Sequence, residues 1–521
     1  MAARSLRFFQ FLLLKPLEFQ NPRKCSIRTS LLFPIRESSS LSSIAPKDDL
    51  RSRILRLRFP RKSAAAALQR WVGEGGKAAL PELRRIALEL RKSQRYKHAL
   101  EILTWMEDHG NFRMSPADRA IRLELMIEVQ SLAEAEDYFE NIHDHSSQKA
   151  ACLPLLHSYV KQRAIEKAES LMLKLQNLGL TVNPHPFNEM MKLYMATDQF
   201  KKVPLVIQQM KHNNIPLNVL SYNLWMGACY AVSGIGSAEM VYREMMNDKN
   251  VEVGWSTDST LANIYIRSGL NDKALKALRI AERKLSVRNR LGFFFLITLY
   301  TFLNNKDGVL RLWEASKQVA GRMTCANYMC ILSCLVKLDD VGEAERVFET
   351  WESECRKYDV RVSNILLGAF VRRRWMDKAE SLHLHTLEKG GQPNYKTWEI
   401  LMEGWVRNVQ MDKAIMAMKK GFSMLKGCHW RPPPSIVMAI AKHFEEQGSV
   451  ADARKYVRVL RQLNLVSLPV YKSLLRTHIR TQRPAPEVLE MMISDRIEWD
   501  EETSTLMQCL SKMNGGGVVK F

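Results

Sequence analysis

Hydrophobic and polar positions follow one another along most of this chain with the spacing of amphipathic helices. In residues 395–408 the apolar residues lie three or four positions apart and end with Trp405, which predicts a helix with one apolar side. A polar break follows at residues 408–410, and a second series with the same spacing starts at Met411. The pattern therefore predicts a helical hairpin.

This hairpin recurs with a nearly constant period. In each unit an anchor residue precedes a polar turn, and an alanine stands nine positions after the anchor in nine of the twelve units. Because a single hairpin has too little apolar area to be stable alone, we predict an all-α fold, a right-handed α-solenoid of stacked helical hairpins with a period of about 35 residues. The anchors are Leu90, Met126, Tyr159, Tyr194, Cys229, Tyr265, Tyr300, Leu335, Phe370, Trp405, Phe444 and His478.

The repeat divides the chain into four segments. We predict a disordered organellar targeting presequence in residues 1–60, and a linker leading into the repeats in residues 61–79. The repeat array of about 10–12 units covers residues 80–495, and a C-terminal helix with a flexible tail covers residues 496–521. Since no repeat begins before about residue 80, we expect that removal of about the first 60 residues abolishes import and leaves the fold intact.

The charge is concentrated at the N-terminus. The chain has a net charge of +22, and residues 1–70, with fifteen Lys or Arg and four Asp or Glu, account for +11 of it. On a helix, Arg4, Arg7 and Lys15 fall on one side, opposite apolar residues, which is typical of a mitochondrial presequence. A plastid transit peptide and a basic arm that is never removed are the alternatives.

Composition excludes several classes of protein. Hydrophobic residues make up 46% of the chain and charged residues 25%, which is ordinary for a folded protein. The apolar run in residues 8–14 is too short to span a bilayer, so we expect no membrane insertion. Nine scattered cysteines do not form a disulfide framework, and they favour a reducing compartment.

The segments 88–106, 220–224, 259–265 and 393–401, together with the 35-residue period, resemble the pentatricopeptide repeat family. The resemblance covers about residues 80–495 and is closest to plant organellar members of the P subfamily, which lack a catalytic tail. It implies that single-stranded organellar RNA lies along the first helices, one nucleotide per repeat. It also implies that the fifth residue of each first helix and the last residue of the repeat contact one base.

The resemblance places those base-contacting positions on residues of two kinds. Leu153, Phe294, Met329 and Met438 have side chains that cannot hydrogen-bond to a base. The amide and hydroxyl side chains at the other positions can donate to and accept from a base edge, although an Asn can instead cap a helix. The base-contacting candidates are Asn188, Asn218, Asn223, Ser259, Asn289, Asn364 and Asn394.

Basic residues recur two positions after the anchor, at the predicted end of the first helix. Seven of the twelve units have Lys or Arg there. Such a side chain could reach a phosphate, or it could serve the negative end of the helix dipole instead. The phosphate-contacting candidates are Lys161, Arg267, Lys337, Arg372, Arg407 and Arg480.

We therefore expect a non-catalytic RNA-binding protein of organellar RNA metabolism, acting in transcript stabilisation, processing or translation. One alternative is a component of the mitochondrial ribosome, bound to its RNA and proteins. Another is a protein-binding scaffold of the tetratricopeptide kind. No nucleophile–base pair and no metal-ligand spacing is evident, so we expect no catalytic residue, metal, cofactor or small-molecule substrate.

Overall fold

The computed structural model describes residues 49–57, 62–109, 113–424 and 430–513 of the chain. In these residues the regular structure is helical, and no β-strand is present. The helices form two compact units, which divide between Leu285 and Ser286. The prediction of an all-α fold is confirmed.

The helices are numbered here in chain order. The first unit contains α1 (Leu50–Leu55), α2 (Ala64–Gly73), α3 (Leu80–Lys92), α4 (Tyr96–Asp108), α5 (Pro116–Val129), α6 (Leu132–Glu140), α7 (His145–Gln162), α8 (Ile165–Asn177), α9 (Pro184–Ala196), α10 (Lys202–His212), α11 (Val219–Ser233), α12 (Ile235–Asn247), α13 (Trp255–Arg267) and α14 (Asn271–Arg283). The second unit contains α15 (Arg290–Phe302), α16 (Lys306–Lys317), α17 (Cys325–Lys337), α18 (Val341–Glu354), α19 (Val360–Arg372), α20 (Met376–Glu388), α21 (Tyr395–Arg407), α22 (Met411–Ser423), α23 (Pro434–Gln447), α24 (Val450–Gln462), α25 (Leu468–Arg480), α26 (Pro486–Ser494) and α27 (Glu501–Met513).

From α3 to α26 the helices form hairpins, in which an odd-numbered first helix is followed by an even-numbered second helix. Each of the twelve anchors lies in a first helix, within four residues of its C-terminal end. The first helices of neighbouring hairpins pack against one another, from α5 to α13 in one unit and from α15 to α25 in the other. The first helices thus form one continuous layer in each unit. The predicted stack of hairpins is confirmed.

The turn inside ten of the twelve hairpins has the same backbone conformation. Four residues after the anchor the backbone is left-handed, as at Val409 with φ 60°. The next N–H then donates to the anchor carbonyl, as from Gln410 to Trp405 at 2.8 Å. This bond satisfies a carbonyl at the helix end that would otherwise be unpaired. Glycine, the residue that adopts this conformation without strain, occupies only Gly269 and Gly448 among these positions.

The alanines that mark the repeat are buried within the hairpins. Eight of the nine are completely inaccessible to solvent, and Ala453 is 5% exposed. Val203 and Val309, which replace alanine in two hairpins, are also completely buried, whereas Glu487 in the last hairpin is exposed. A small side chain at this position lets the axes of the two helices approach closely. The interpretation of the alanines as packing residues is therefore confirmed.

Neighbouring hairpins are joined by a recurring contact that we call the latch. It consists of the anchor, the Lys eight positions after it, and a Glu on the second helix of the preceding hairpin. Lys202 Nζ lies 2.7 Å from Glu169 Oε1, the Tyr194 hydroxyl donates to the same oxygen at 2.8 Å, and Lys202 Nζ lies 5.1 Å from the centre of the tyrosine ring. The equivalent groups are Tyr159, Lys167 and Glu136; Tyr265, Lys273 and Glu239; Phe370, Lys378 and Glu345; and Trp405, Lys413 and Glu380.

The latch makes stability depend on pH through its carboxylates. The hydrogen bond from Lys413, followed by that from Trp405, holds the pKa of Glu380 below its usual value. A carboxyl group whose pKa is depressed by folding stabilises the protein above its unfolded pKa of about 4.3. That stability is lost as the pH falls through the folded pKa. The latch should therefore weaken as the solution becomes more acidic than about pH 4.3.

We predict that Glu380→Gln lowers the unfolding temperature at pH 7 and reduces its dependence on pH. The amide cannot titrate, so the wild-type and variant values should converge as the pH falls below about 4. The measurement is thermal unfolding between neutral and acidic pH. Glu388→Gln is the matched control, since Glu388 is exposed on the same helix and forms no ion pair within the described residues. Parallel wild-type and Glu380→Gln curves would contradict the prediction.

The helices before the first repeat extend the packed structure. Leu50 and Ile54 of α1 are at most 1% exposed. Arg51 of α1 donates to both carboxylate oxygens of Glu89, at 3.0 and 2.8 Å, and Arg95 donates to the carbonyls of Ile54 and Leu55 at 3.3 and 3.0 Å. Helix α1 lies inside the segment predicted to be a disordered presequence, and α2 lies inside the predicted linker. Residues 50–55 and 64–73 are therefore helical, and the prediction of disorder is wrong for residues 50–55.

Residues 1–48, which hold the basic amphipathic segment and the rest of the predicted presequence, lie outside the described residues, as do residues 514–521 of the predicted tail. The presequence and its limit stay predictions. Helix α27 lies where the C-terminal helix was expected. Asp500, which precedes this helix, and Glu502 in its first turn both pair with Lys472 of α25 at 2.6 Å.

We predict that a chain starting at Asp49 unfolds at the same temperature as the full chain, whereas a chain starting at Lys62 unfolds several degrees lower. Removal of α1 exposes the surface that Leu50 and Ile54 cover, and each such side chain contributes about 1.5–3 kcal/mol when buried. Thermal unfolding of the three purified chains is the measurement. Equal unfolding temperatures for the two truncated chains would show that α1 adds nothing to the fold.

Candidate nucleic-acid interface

Two of the predicted base-contacting pairs are brought together in the structure. Asn188 in α9 donates from Nδ2 to Oδ1 of Asn218 at 3.2 Å. In the second unit Asn364 in α19 donates to Asn394 in the same way, also at 3.2 Å. Each pair joins a first helix to the start of the next one, which is the geometry expected if both amides faced one base.

The structure also shows which of these residues cap helices. Asn218 caps α11, because its Oδ1 accepts from the backbone N–H of Ser221 at 3.0 Å. Asn394 caps α21 through the N–H of Thr397 at 3.0 Å. Asn188 and Asn364 lie inside their helices and cap nothing. The helix-cap alternative is therefore correct for Asn218 and Asn394 and wrong for Asn188 and Asn364.

In each pair, one of the two Asn side chains is buried and the other is partly accessible to solvent. Asn188 is 2% exposed and Asn364 is 8% exposed, whereas Asn218 and Asn394 are only partly buried. A buried amide must be hydrogen-bonded to avoid a penalty of about 1–3 kcal/mol. The partners described above meet that requirement. The more accessible amide of each pair is thus the one at the helix start.

The remaining base-contacting candidates have different surroundings. Ser259 is completely buried, and its hydroxyl donates to the carbonyl of Trp255 in the same helix at 2.6 Å. Asn289 caps α15 through the N–H of Gly292 at 3.1 Å. Ser259 lies in the first unit and Asn289 in the second. Asn223 is half-buried, and its Oδ1 is buried without a hydrogen-bond partner.

The six phosphate-contacting candidates are all exposed, at the last or second-last residue of a first helix. Arg407 pairs with Glu403 at 2.5 Å, and Arg480 donates to the carbonyl of Glu445 at 3.4 Å. Arg372 has no hydrogen bond or ion pair within the described residues. Exposed ion pairs contribute about 0–1 kcal/mol, so such partners can be exchanged for a phosphate.

Equivalent positions of consecutive hairpins lie close together at these helix ends. Lys161 Nζ lies 3.3 Å from Glu128, and Lys337 Nζ lies 5.3 Å from the centre of the Phe302 ring. Glu128 and Phe302 hold the same repeat position one hairpin earlier. Lys337, Arg372 and Arg407 hold this position in three consecutive hairpins of the second unit, whereas Lys161 and Arg267 in the first unit are separated by two hairpins with Ala there. Each also lies at the negative end of a helix dipole, so the dipole alternative applies to them as well.

Sequence reasoning missed two hydroxyl groups that hydrogen-bond to these amides. Ser221 donates to Asn188 Oδ1 at 2.8 Å, and Thr397 donates to Asn364 Oδ1 at 2.9 Å. Both lie three residues after the capping Asn, where they complete a capping box. The pattern Asn-x-x-Ser/Thr was visible in the sequence, but it indicates a helix start and not a contact with the preceding repeat.

The part of the chain that the structure describes contains no metal-binding cluster, no disulfide and no helix that could span a membrane. No group of three or more His, Cys, Asp or Glu side chains there could hold a metal ion. The seven cysteines in these residues are free thiols. None of the helices there has the length and apolar character required to cross a bilayer.

Comparison with known proteins identifies the family to which the repeat belongs. No family model matches the chain. A pentatricopeptide repeat-containing protein of Arabidopsis thaliana is 52% identical over 472 residues, which are 90% of this chain and 96% of that protein. A second one from the same plant, described as mitochondrial, is 32% identical over 89% of this chain and 95% of its own length. The crystal structure of the pentatricopeptide repeat protein PPR10 from maize aligns with 90% of this chain and 73% of its own length, at 15% identity and a TM-score of 0.45. Because identity above 50% extends over nearly the whole length of both chains in the first comparison, this chain belongs to the pentatricopeptide repeat family.

Proposed function

We propose that this chain is a non-catalytic protein that binds single-stranded organellar RNA along the layer of first helices in each of its two units. The observation that carries the proposal is the series of exposed cations at the ends of the first helices, in a chain of this family. Phosphate contacts of this kind supply affinity, whereas contacts to base edges supply discrimination. The amide pairs Asn188/Asn218 and Asn364/Asn394 are the proposed base contacts, and Asn223, Ser259 and Asn289 are weaker candidates.

We propose a mitochondrial location and a role in stabilising, processing or translating transcripts. Relatives that are 32% and 36% identical carry the description mitochondrial. The excess of basic residues in residues 1–70 supports an organellar presequence. Import into plastids is the alternative, and it would be seen directly with a fluorescent protein fused after the first 70 residues.

A second candidate function is a place in the mitochondrial ribosome, bound to folded RNA and proteins. Phe294, Met329 and Met438 are the fifth residues of their helices, and Leu153 lies six residues before its anchor as they do. These apolar side chains favour the second function, because they cannot hydrogen-bond to a base edge. Sedimentation of the native protein separates the two functions. Co-migration with ribosomes after nuclease treatment supports the second, and release by nuclease supports the first.

The phosphate contacts can be tested with Lys337, Arg372 and Arg407, which lie in consecutive hairpins of the second unit. Replacing all three with Ala should weaken binding to every RNA alike. It should also lower the slope of log affinity against log salt by about 0.7 per lost contact, hence about 2 in total. The measurement is binding of a selected single-stranded RNA over a range of salt concentrations.

The matched control removes three cations from second helices. Lys419, Lys455 and Arg458 are exposed and form no ion pair within the described residues. Their replacement with Ala changes the net charge equally but leaves the first helices unaltered, so the salt slope should fall by much less than 2. An equal salt slope for the wild type and the first-helix variant would count against the proposed function.

A further inference from the structure

We propose that Ser221 and Thr397 are positioning residues, which fix the orientation of the amide pair beside them and so decide which base that pair accepts. The proposal rests on the proposed RNA-binding function and goes beyond it, because neither residue is a predicted base contact. Each hydroxyl donates to the fifth-position amide of the preceding hairpin.

The orientation of each amide follows from one group that can only donate. The backbone N–H of Ser221 points at Asn218, so the oxygen of that amide must face it, at 3.0 Å. The same oxygen lies 3.2 Å from the amide of Asn188, which must therefore present its nitrogen there. The oxygen of Asn188 is then left facing the Ser221 hydroxyl, which donates to it at 2.8 Å. The helix cap thus determines the orientation of an amide in the preceding hairpin.

The second site repeats this sequence of bonds. Thr397 donates from its backbone N–H to Asn394 Oδ1 at 3.0 Å, Asn364 donates to that oxygen at 3.2 Å, and the Thr397 hydroxyl donates to Asn364 Oδ1 at 2.9 Å. Thr397 is 1% exposed and Ser221 is completely buried. Hydrogen bonds between buried groups are not weakened by competing water, so each hydroxyl should restrain its amide strongly.

In the described part of this network one amide N–H group of each pair has no partner, whereas every amide oxygen accepts a hydrogen bond. Within the described residues, Nδ2 of Asn218 and Nδ2 of Asn394 have no hydrogen bond, whereas the oxygens of all four amides accept from the network. A base that meets such a site must supply acceptors. A carbonyl oxygen of uracil, cytosine or guanine fits this requirement, whereas the exocyclic amino group of adenine does not.

A third site shows what happens when one member is missing. Asn223 occupies the fifth position of α11, but the residue that ends its repeat is Gly254, which has no side chain. The next hairpin still supplies a hydroxyl, Thr257, which is completely buried. Neither Asn223 Oδ1 nor Thr257 Oγ1 has a hydrogen-bond partner. We infer that this site holds the same kinds of residue as the other two, but lacks both the amide at position 254 and the bond from the hydroxyl to the amide of Asn223.

The missing amide can be added without strain. Gly254 has a φ of −91°, and a Cβ atom placed on it meets no other atom within 4 Å. An open cleft of about 450 Å³, lined by Asn218, Gly254 and Lys284 among others, lies beside it. Asn is also a preferred residue at a helix N-cap, so Gly254→Asn should not destabilise the protein.

The experiment measures binding of the full chain to the selected RNA and to its variants in which each position carries each of the four bases. Thr397→Val should lower the discrimination at a single position about tenfold, while affinity for the RNA mismatched there changes little. Thr397→Ser should restore the discrimination. Gly254→Asn should create a preference for bases with a carbonyl acceptor over adenine at a position where the wild type has none, and should raise the unfolding temperature.

The control removes a helix cap that holds no amide. Asn327 completes the capping box of α17 with Thr324, but the fifth residue of the preceding first helix is Phe294. Asn327→Ala should therefore lower stability and leave base discrimination unchanged. If Asn327→Ala and Thr397→Val alter discrimination equally, the effect belongs to the helix cap and the proposal is overturned.

A measurement without RNA distinguishes failure of this proposal from failure of the proposed function. The destabilising effects of Thr397→Val and Asn364→Ala should be non-additive in unfolding experiments, because the two residues share a hydrogen bond. Non-additive effects together with unchanged base discrimination would overturn the positioning role alone. A wild-type chain that binds no single-stranded RNA would overturn both proposals.

Discussion

The contact between neighbouring hairpins is the constraint on which the rest of the structure depends. A hairpin of about 35 residues cannot bury its apolar side alone, so each one is stable only against the next. Burial of one large apolar side chain contributes about 1.5–3 kcal/mol, whereas an exposed ion pair contributes about 0–1 kcal/mol. Apolar burial around the anchors therefore supplies most of the stability, and the latch residues, such as Tyr194, Lys202 and Glu169, fix the register in which one hairpin meets another.

A fixed register has a direct consequence for the surface of the first helices. When each hairpin meets the next in the same way, equivalent positions recur at a constant separation in space. Lys161 then lies beside Glu128, and Lys337 lies beside the ring of Phe302. A polymer whose own units repeat, such as a nucleic acid strand, can be matched only by a surface with this property. The interactions that stabilise the fold are thus the ones that would align the cations with successive phosphates.

Helix capping and the proposed base recognition use the same atoms. Asn218 and Asn394 satisfy free backbone donors at the starts of α11 and α21, and the same oxygens receive the amides of the preceding first helices. An amide that is committed in this way is oriented before a base arrives, which lowers the entropic cost of recognition. At Gly254 the cap is absent, and the buried oxygens of Asn223 and Thr257 are left without partners.

The sequence by itself determined the hairpins, their period, the buried alanines and the row of cations, because helical periodicity is local and every unit repeats it. Family membership also followed from residues that the sequence displays. Only the tertiary structure decided that α1 packs against the first hairpin and that Lys202 and Tyr194 share one carboxylate. It also decided that Ser221 and Thr397 hold an amide of the preceding hairpin. These contacts join residues about 25–40 positions apart, and their existence depends on distances of about 3 Å that periodicity cannot specify.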